Sequence, residues 1–346
     1  MRENQKAQAI LYALLAAVFY AVNVPLSKLL MKVIGPTMMA SFLYLGAGIG
    51  IGLMSLMGRK KEEKRLDRKD LPYVLGMIVL DIAAPIFLML GISYGSSSSA
   101  SLLGNFEIVA TTVIALVIFK ETVSRRLWVA IGLITLSSVL LSFEDAGSFQ
   151  LSYGSFFVLL ATVCWGFENN CTRKISSKST YEIVILKGVF SGLGSFVIAL
   201  VKRESLPQLP YILLALLLGY VAYGLSIFLY VRSQSALGAA KTSAYYAIAP
   251  FVGAFLSFVL LKEPLTWAYL AALGIMIAGT ALVVADTLIR YHAHVHQHSF
   301  THTHDGSTHT HTVTHSHEHN HYMTDERHGH HHTREELERL ARAVHI

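Results

Sequence analysis

The chain has 346 residues, of which 53% are hydrophobic and only 14% are charged, and its mean hydropathy is +0.49. Soluble domains carry about 25% charged residues, so this composition excludes an ordinary soluble protein of this length. The formal net charge of +6 is unevenly distributed along the chain. Lysine and arginine outnumber aspartate and glutamate before residue 291 and are outnumbered by them afterwards. The excess forms no single basic surface, and we expect no nucleic-acid partner.

Apolar runs long enough to cross a bilayer follow one another as far as residue 288. A crossing helix needs about 20 mostly apolar residues, because the membrane interior offers no water to backbone polar groups. The sequence therefore predicts an all-α, polytopic protein that contacts the lipid bilayer through ten transmembrane helices. Their predicted limits are residues 8–30, 37–57, 71–93, 98–119, 124–143, 153–174, 181–201, 210–232, 237–261 and 265–288.

Lysine and arginine lie mostly on one side of these helices. With the N-terminus placed inside, the connections and helix ends on that side hold 17 of them, against four on the other side. Positively charged loops stay in the cytoplasm. We therefore expect a multi-pass protein of the cytoplasmic membrane with both termini in the cytoplasm.

Short sequence patterns recur at equivalent places in the two halves. The run that begins Phe119-Lys120-Glu121 aligns without gaps with the run that begins Leu261-Lys262-Glu263. Five helices is an odd number, so the second half would enter the membrane from the opposite side. We expect two inverted-topology five-helix repeats, residues 1–145 and 146–290, an arrangement typical of secondary transporters with a site between the repeats.

This pattern resembles the EamA-type transporters of the drug/metabolite transporter superfamily. The resemblance rests on the first-helix run from Leu14 to Lys28 with its Asn-Val-Pro, the small residues from Gly95 to Leu103, and the Lys-Glu pairs after helices four and nine. It implies alternating access and a central cavity lined mainly by helices one, three, four, six, eight and nine. It names no substrate, because that family moves amino acids, other metabolites and drugs. Helix nine carries the expected Pro250, whereas the aligned residue of helix four is Ile108.

Three carboxylates, Asp81, Glu107 and Glu168, lie inside predicted membrane helices. A charge in the bilayer interior costs about 2.5–3.5 kcal/mol, so such a group usually faces a cavity or a partner. Asp81 and Glu107 are predicted at similar depth, where each would bind a cationic substrate group or take up a coupling proton. If they approach each other, one would hold a proton. The alternative is a protonated acid that hydrogen-bonds a neighbouring helix.

Glu168 and Lys187 are predicted at matching depth on helices six and seven, which favours a structural ion pair. The alternative is a substrate-facing cluster of Glu168, Asn169 and Asn170, aligned with Asn23 of the other half. Aromatic residues that lie too deep for an interfacial belt would stack on a substrate, form a gate, or pack with satisfied hydroxyl groups. These are Tyr220, Tyr223, Tyr245 and Tyr246.

The sequence has no P-loop, no dinucleotide-binding glycine pattern and no Ser, His, Asp set in the helices. We therefore expect no enzyme and no required cofactor. The expected function is export of a small polar metabolite, such as an amino acid, with exchange for protons as its possible energy source. The alternative is transport or sensing of divalent metal ions, with the histidine-rich tail as a metal buffer.

All 17 histidines follow residue 290, and all but His345 lie between residues 292 and 332. Because polar residues separate them, we expect residues 291–332 to be disordered, and a capping box at Thr333 predicts a short amphipathic helix over 333–346. Neutral imidazoles bind zinc, nickel, copper or cobalt, although such binding can be incidental. The candidate ligands are His292, His294, His296, His298, His302, His304, His309, His311, His315, His317, His319, His321, His328 and His330.

Overall fold

A computed structural model describes residues 3–57, 64–119, 124–143, 152–175, 178–237, 242, 245–304 and 307–322. The chain divides into two compact units, Met1–Asp286 and Thr287–Ile346. The first unit is helical, and the second contains a β-hairpin. The amphipathic helix predicted over 333–346 lies outside the described residues.

The helices of the first unit follow the predicted membrane runs. Their bounds are α1 Glu3–Ala21, α2 Asn23–Leu30, α3 Pro36–Met57, α4 Leu71–Tyr94, α5 Ser97–Leu103, α6 Phe106–Phe119, α7 Arg125–Ser142, α8 Tyr153–Ile175, α9 Thr180–Leu186, α10 Gly192–Val201, α11 Leu209–Gly219, α12 Ser226–Leu237, α13 Ala249–Leu261 and α14 Trp267–Leu288. Two π-helical turns, Lys187–Ser191 and Tyr220–Leu225, join α9 to α10 and α11 to α12.

Among the described residues, eight helical stretches have the length and hydropathy of a membrane span. The other two predicted spans are represented by α8, which has 23 residues, and by the shorter apolar helix α13. Glu168, Asn169 and Asn170 make α8 more polar than its neighbours. The prediction of an all-α, polytopic membrane protein is confirmed.

Several of the membrane helices are interrupted near their middles. The first is divided at Val22, three residues before Pro25. The fourth is divided at Gly104 and Asn105, although this segment contains no proline. In the ninth, a turn at residues 247–248 precedes α13, which has Pro250 in its first turn. Glu107 therefore lies in the first turn of α6, directly after a break in its helix.

The two predicted halves are interleaved in this unit. Helix α3 packs on α10 and α11, α1 packs on α12 and α13, and α4 packs along α8. The described residues of both halves therefore pack around one large hydrophobic core, beside a smaller cluster of Val74, Met77, Ile175 and Ile183. The division into inverted repeats at residue 145 stays a prediction.

Two glycines allow the close helix contacts that position the buried polar residues. A Cβ atom added to Gly188 would lie 2.3 Å from the backbone nitrogen of Gly48 on α3. A Cβ atom added to Gly166 would lie 2.8 Å from the Cβ atom of Ala110 on α6. Any larger residue would separate these helices. The glycines thereby hold Lys187 next to α3, and the polar end of α8 next to α6.

The described residues of the tail form a pair of strands. Strands β1 (Ile289–His304) and β2 (Ser307–Tyr322) pair as an antiparallel hairpin, with Ile289 opposite Tyr322 and His304 opposite Ser307. Histidine alternates there with residues that include β-branched threonine and valine, which favour extended backbone. The disorder expected over residues 291–332 stays a prediction.

Candidate functional site

A lysine shared by two buried acids forms the centre of the candidate site. Lys187 Nζ lies 2.9 Å from Glu168 Oε1 and 3.2 Å from Asp81 Oδ2. Asp81 is fully buried and Glu168 is 2% exposed. The predicted pairing of Glu168 with Lys187 is present, and Asp81 binds the same ammonium group. One positive charge faces two carboxylates, which gives this cluster a negative balance when all three groups are ionised.

Each of the two acids also accepts a hydrogen bond from a hydroxyl group. Tyr44 of α3 donates its hydroxyl hydrogen to Asp81 Oδ1 at 3.0 Å. Thr172, one turn along α8, donates to Glu168 Oε1. Asp81 Oδ2 has the ionic contact with Lys187 but no aligned hydrogen bond from any described side chain. That oxygen therefore retains the capacity to accept a further donor.

Glu107 has a neutral partner in place of a cation. The Asn169 amide donates to Glu107 Oε1 at 2.6 Å and lies 3.3 Å from Thr111 Oγ1. The next residue, Asn170, donates to the backbone carbonyls of Gly166 and Thr111 at 2.8 and 3.2 Å. Asn169 thus contacts a functional candidate, whereas the Asn170 amide is bonded to backbone.

Asp81 and Glu107 have different partners among the described residues. Asp81 is held by Lys187 and Tyr44, and Glu107 by Asn169. Similar depth along two helices does not determine which side each helix turns toward the other.

A group of tyrosines connects Asn23 to the acidic cluster. The Asn23 amide donates to the Tyr223 hydroxyl at 3.0 Å, and Ser27 donates to Asn23 Oδ1 at 3.0 Å. The Tyr223 ring lies 5.2 Å from the Tyr44 ring and 5.7 Å from the Tyr20 ring, measured between centroids. Because Tyr44 also bonds Asp81, a continuous set of contacts runs from Asn23 of the first half to Glu168 of the second.

The other predicted tyrosines lie in different places. The Tyr246 ring is 6.1 Å from that of Tyr20, at the margin of the tyrosine group. Tyr220 lies against Gly50 of α3, where it packs two helices together. Tyr245 is 37% exposed and lies outside the group. Of the four, the structure brings Tyr223 and Tyr246 toward the site.

Sequence reasoning missed Tyr20 and Tyr44. Both lie in the interior of predicted membrane helices, as Tyr223 does, and the same argument from depth applied to helices one and two would have found them. It also missed the second partner of Lys187, because Asp81 lies more than 100 residues away along the chain.

Away from this site, two carboxylates of the second half accept hydrogen bonds from backbone amides of the first half. Glu204 accepts from the amides of Thr37 and Met38 at 3.2 and 2.8 Å. Glu263 accepts from the amides of Ser97 and Ser98 at 2.7 and 2.9 Å. Each acid thereby satisfies amides in the first turn of a helix that begins an even-numbered span.

Comparison with known proteins identifies the family. The model of the EamA-like transporter family matches residues 7–143 and again residues 152–285. The chain belongs to this family. Its members are membrane transporters, which confirms both the predicted resemblance and the prediction that the protein is not an enzyme.

The relatives of this EamA-like transporter include two archaeal proteins. It is 26% identical to an uncharacterized transporter of Methanothermobacter thermautotrophicus. The alignment spans 272 residues, 72% of this chain and 78% of the relative. It is 23% identical to an uncharacterized transporter of Archaeoglobus fulgidus. That alignment spans 279 residues, 78% of this chain and 96% of the relative. A solved crystal structure matches with a TM-score of 0.58 and 15% identity, over 81% of this chain and 96% of that one. The last likeness shows the fold alone.

Proposed function

We propose that this transporter exports a small polar metabolite, such as an amino acid, across the cytoplasmic membrane by alternating access in exchange for protons. One observation carries the proposal. Asn23, Tyr44 and Asp81 of the first half form a continuous contact set with Tyr223, Lys187 and Glu168 of the second half. A substrate bound among these residues would contact both halves, as rocking of one half against the other requires.

The charges of the site suit a substrate that carries both an amine and a carboxylate. Lys187 supplies a cation, and Asp81 Oδ2 and Glu107 supply acceptor oxygens. The tyrosine rings offer apolar faces for the rest of the molecule. We assign the binding of the amine and the coupling proton to Glu107, because its described partner, Asn169, is neutral and can be displaced without separating an ion pair.

Transport by purified protein in lipid vesicles tests this proposal. Vesicles loaded with unlabelled amino acid should accumulate the labelled form by counterflow, and an inward proton gradient should drive its loss. Glu107→Gln should abolish the proton dependence and leave protein yield unchanged, because glutamine keeps the shape and the hydrogen bond to Asn169. Glu182→Gln is the matched control, since Glu182 forms a partly exposed pair with Arg65 at 3.6 Å.

Two results would contradict the proposal. The first is counterflow of Glu107→Gln with the same proton dependence as the unaltered protein. The second is loss of yield in Glu107→Gln but not in Glu182→Gln, which would make Glu107 a packing residue.

The proposed orientation places both termini in the cytoplasm. It rests on the lysine and arginine distribution, which favours that side by 17 to four. Single cysteines introduced at residue 3 and residue 207, in a variant without Cys164 and Cys171, should react with an impermeant reagent on opposite sides of the membrane. Labelling of both from one side would overturn the orientation.

As a second candidate function, we propose that the histidine-rich tail binds transition-metal ions and thereby couples the transporter to metal supply. All 17 histidines lie in this part of the sequence, and the helical unit has none. Deletion of residues 291–346 should abolish high-affinity zinc or nickel binding and leave amino-acid counterflow in vesicles intact. Undiminished metal binding after the deletion would refute a role for the tail.

A further inference from the structure

The break in the first membrane helix leaves one buried carbonyl without its regular donor. In a continuous helix the carbonyl of Ala21 would accept from the amide of residue 25, but that residue is proline and has no N–H. The bonds on either side are kept, since the amides of Val22 and Leu26 donate to the carbonyls of Val18 and Val22 at 3.3 and 3.2 Å. Ala21 is 4% exposed. Its carbonyl therefore lacks the donor that an unbroken helix would supply.

A serine hydroxyl of the fourth membrane helix lies beside the same point. A Cβ atom added to Gly253 of α13 would lie 3.2 Å from the carbonyl oxygen of Ala21 and 3.1 Å from Ser101 Oγ. Ser101 is 5% exposed, and its hydroxyl has no hydrogen-bond partner among the described residues. Two oxygens from interrupted helices thus meet at one glycine, where any side chain would crowd them.

The polar groups nearby separate into a bonded set and an unbonded set. Ser257, one turn after Gly253, donates to the Gly253 carbonyl at 2.8 Å and lies 3.1 Å from Ser97 Oγ. Asn105 follows Ser101 at the break in the fourth membrane helix, is 3% exposed, and has an amide nitrogen without an acceptor among the described residues. Buried polar atoms without partners cost stability and are uncommon in folded proteins. The two that occur at this break indicate a bound species that supplies the missing interactions.

The chemistry of the point favours a small monovalent cation. Carbonyl and hydroxyl oxygens are ligands of hard cations, and Ala21 ends α1, where the helix dipole places partial negative charge. The three described atoms nearest to the point are these two oxygens and Ser101 Cβ, so no carboxylate contacts it. Ca²⁺ and Mg²⁺ are usually bound through carboxylates. Backbone carbonyls of interrupted helices coordinate Na⁺ in secondary transporters.

We propose that the Ala21 carbonyl and the Ser101 hydroxyl bind Na⁺ beside Gly253. Asn105 is the candidate for a third ligand, because rotation of its amide by 180° exchanges nitrogen for oxygen. Ala21 and Ser101 belong to the first half and Gly253 to the second, so a bound ion stabilises the packing of α1 and α5 on α13. The inference goes beyond both proposed functions and rests on neither, since it uses none of the residues of the acidic cluster or the tail.

Thermal unfolding of the purified full-length protein in detergent tests this site. The midpoint is measured in NaCl and in KCl at equal ionic strength, and binding of radiolabelled Na⁺ gives the affinity. The contacts of 3.1 and 3.2 Å leave little room at the point, which suits the smaller cation. Na⁺ should raise the midpoint by at least about 2 °C relative to K⁺, because an ion that binds only the folded state stabilises it by mass action.

Two variants and a matched control locate the effect. Ser101→Ala removes the hydroxyl ligand, and Gly253→Ala places a methyl group beside both oxygens. Each should lose at least about tenfold in Na⁺ affinity, since even the outer-shell partners of a bound metal typically contribute that much. Ser195→Ala is the control. Its hydroxyl is also buried without a partner among the described residues, but it lies within α10, away from the three breaks, and the variant should keep the full Na⁺ response.

Three results would overturn the proposal. Equal midpoints of the unaltered protein in NaCl and KCl would indicate a structural water at this point. A Na⁺ response that persists in Ser101→Ala would place the ion elsewhere. Equal loss of the response in Ser101→Ala and Ser195→Ala would make it a general effect of buried hydroxyl groups. If Gly253→Ala does not fold, the comparison of Ser101→Ala with Ser195→Ala decides alone.

Discussion

Removal of the shared ammonium group should destabilise the helical unit more than removal of either acid. Lys187→Met keeps the length and apolar stem of the side chain, and it deletes the charge that lies 2.9 Å from Glu168 and 3.2 Å from Asp81. Both acids are almost completely buried. Loss of one partner of a buried ion pair typically costs about 3–5 kcal/mol, because the remaining charge stays desolvated. We expect a loss of unfolding free energy in this range.

The comparison that isolates the charge effect is a triple variant. Lys187→Met combined with Asp81→Asn and Glu168→Gln leaves no unpaired charge, and should recover most of the lost stability. Unfolding of purified protein in mixed detergent is followed by tryptophan fluorescence. The reasoning fails if Lys187→Met lies within about 0.5 kcal/mol of the unaltered protein, a change typical of neutral surface positions. It also fails if the triple variant is no more stable than Lys187→Met.

Three further changes give distinct results. Glu263→Gln should lower the unfolding free energy by about 1 kcal/mol, because its bonds to two helix amides lose their charge; chemical denaturation measures this. Tyr223→Phe should cost about 1–3 kcal/mol, because the Asn23 amide loses its acceptor, and thermal unfolding would show no shift if that bond is unimportant. The hydrogen bond from Lys178 holds the pKa of Asp67 below its ordinary value. The stabilisation from Asp67 is therefore present above the unfolded pKa, about 3.9, and is lost as pH falls through the lower folded pKa; Asp67→Asn should flatten the pH dependence of unfolding in that acidic range.

The membrane helices could be predicted because their cause is local. A run of about 20 apolar residues must be helical inside a bilayer whatever its neighbours are. Counting residues along two such helices also predicted that Glu168 and Lys187 lie at the same depth. The structure pairs them at 2.9 Å. These predictions needed only position along a helix axis.

Contacts that depend on helix rotation could not be predicted in this way. Asp81 pairs with Lys187, not with Glu107, because α4 packs along α8 and presents Asp81 to the cluster there. The break at Gly104 was not predicted, since proline is the usual signal for an interrupted helix and this segment has none. Both outcomes follow from packing partners that are distant in the sequence.

The pattern of the two tail strands is visible in the sequence. Histidine recurs at alternate positions over most of β1 and β2, which is the two-residue period of a strand. The register depends on where the turn falls, so it required the structure.

The acidic caps at Glu204 and Glu263 join the two halves through backbone amides. Each carboxylate accepts from two neighbouring amides of the other half, one amide to each oxygen. The bonding at this end therefore depends on two acids and not on the identity of the residues that donate, so substitution of Thr37, Met38, Ser97 or Ser98 by another residue with a backbone N–H leaves the donors in place, whereas substitution of either glutamate removes both bonds at once.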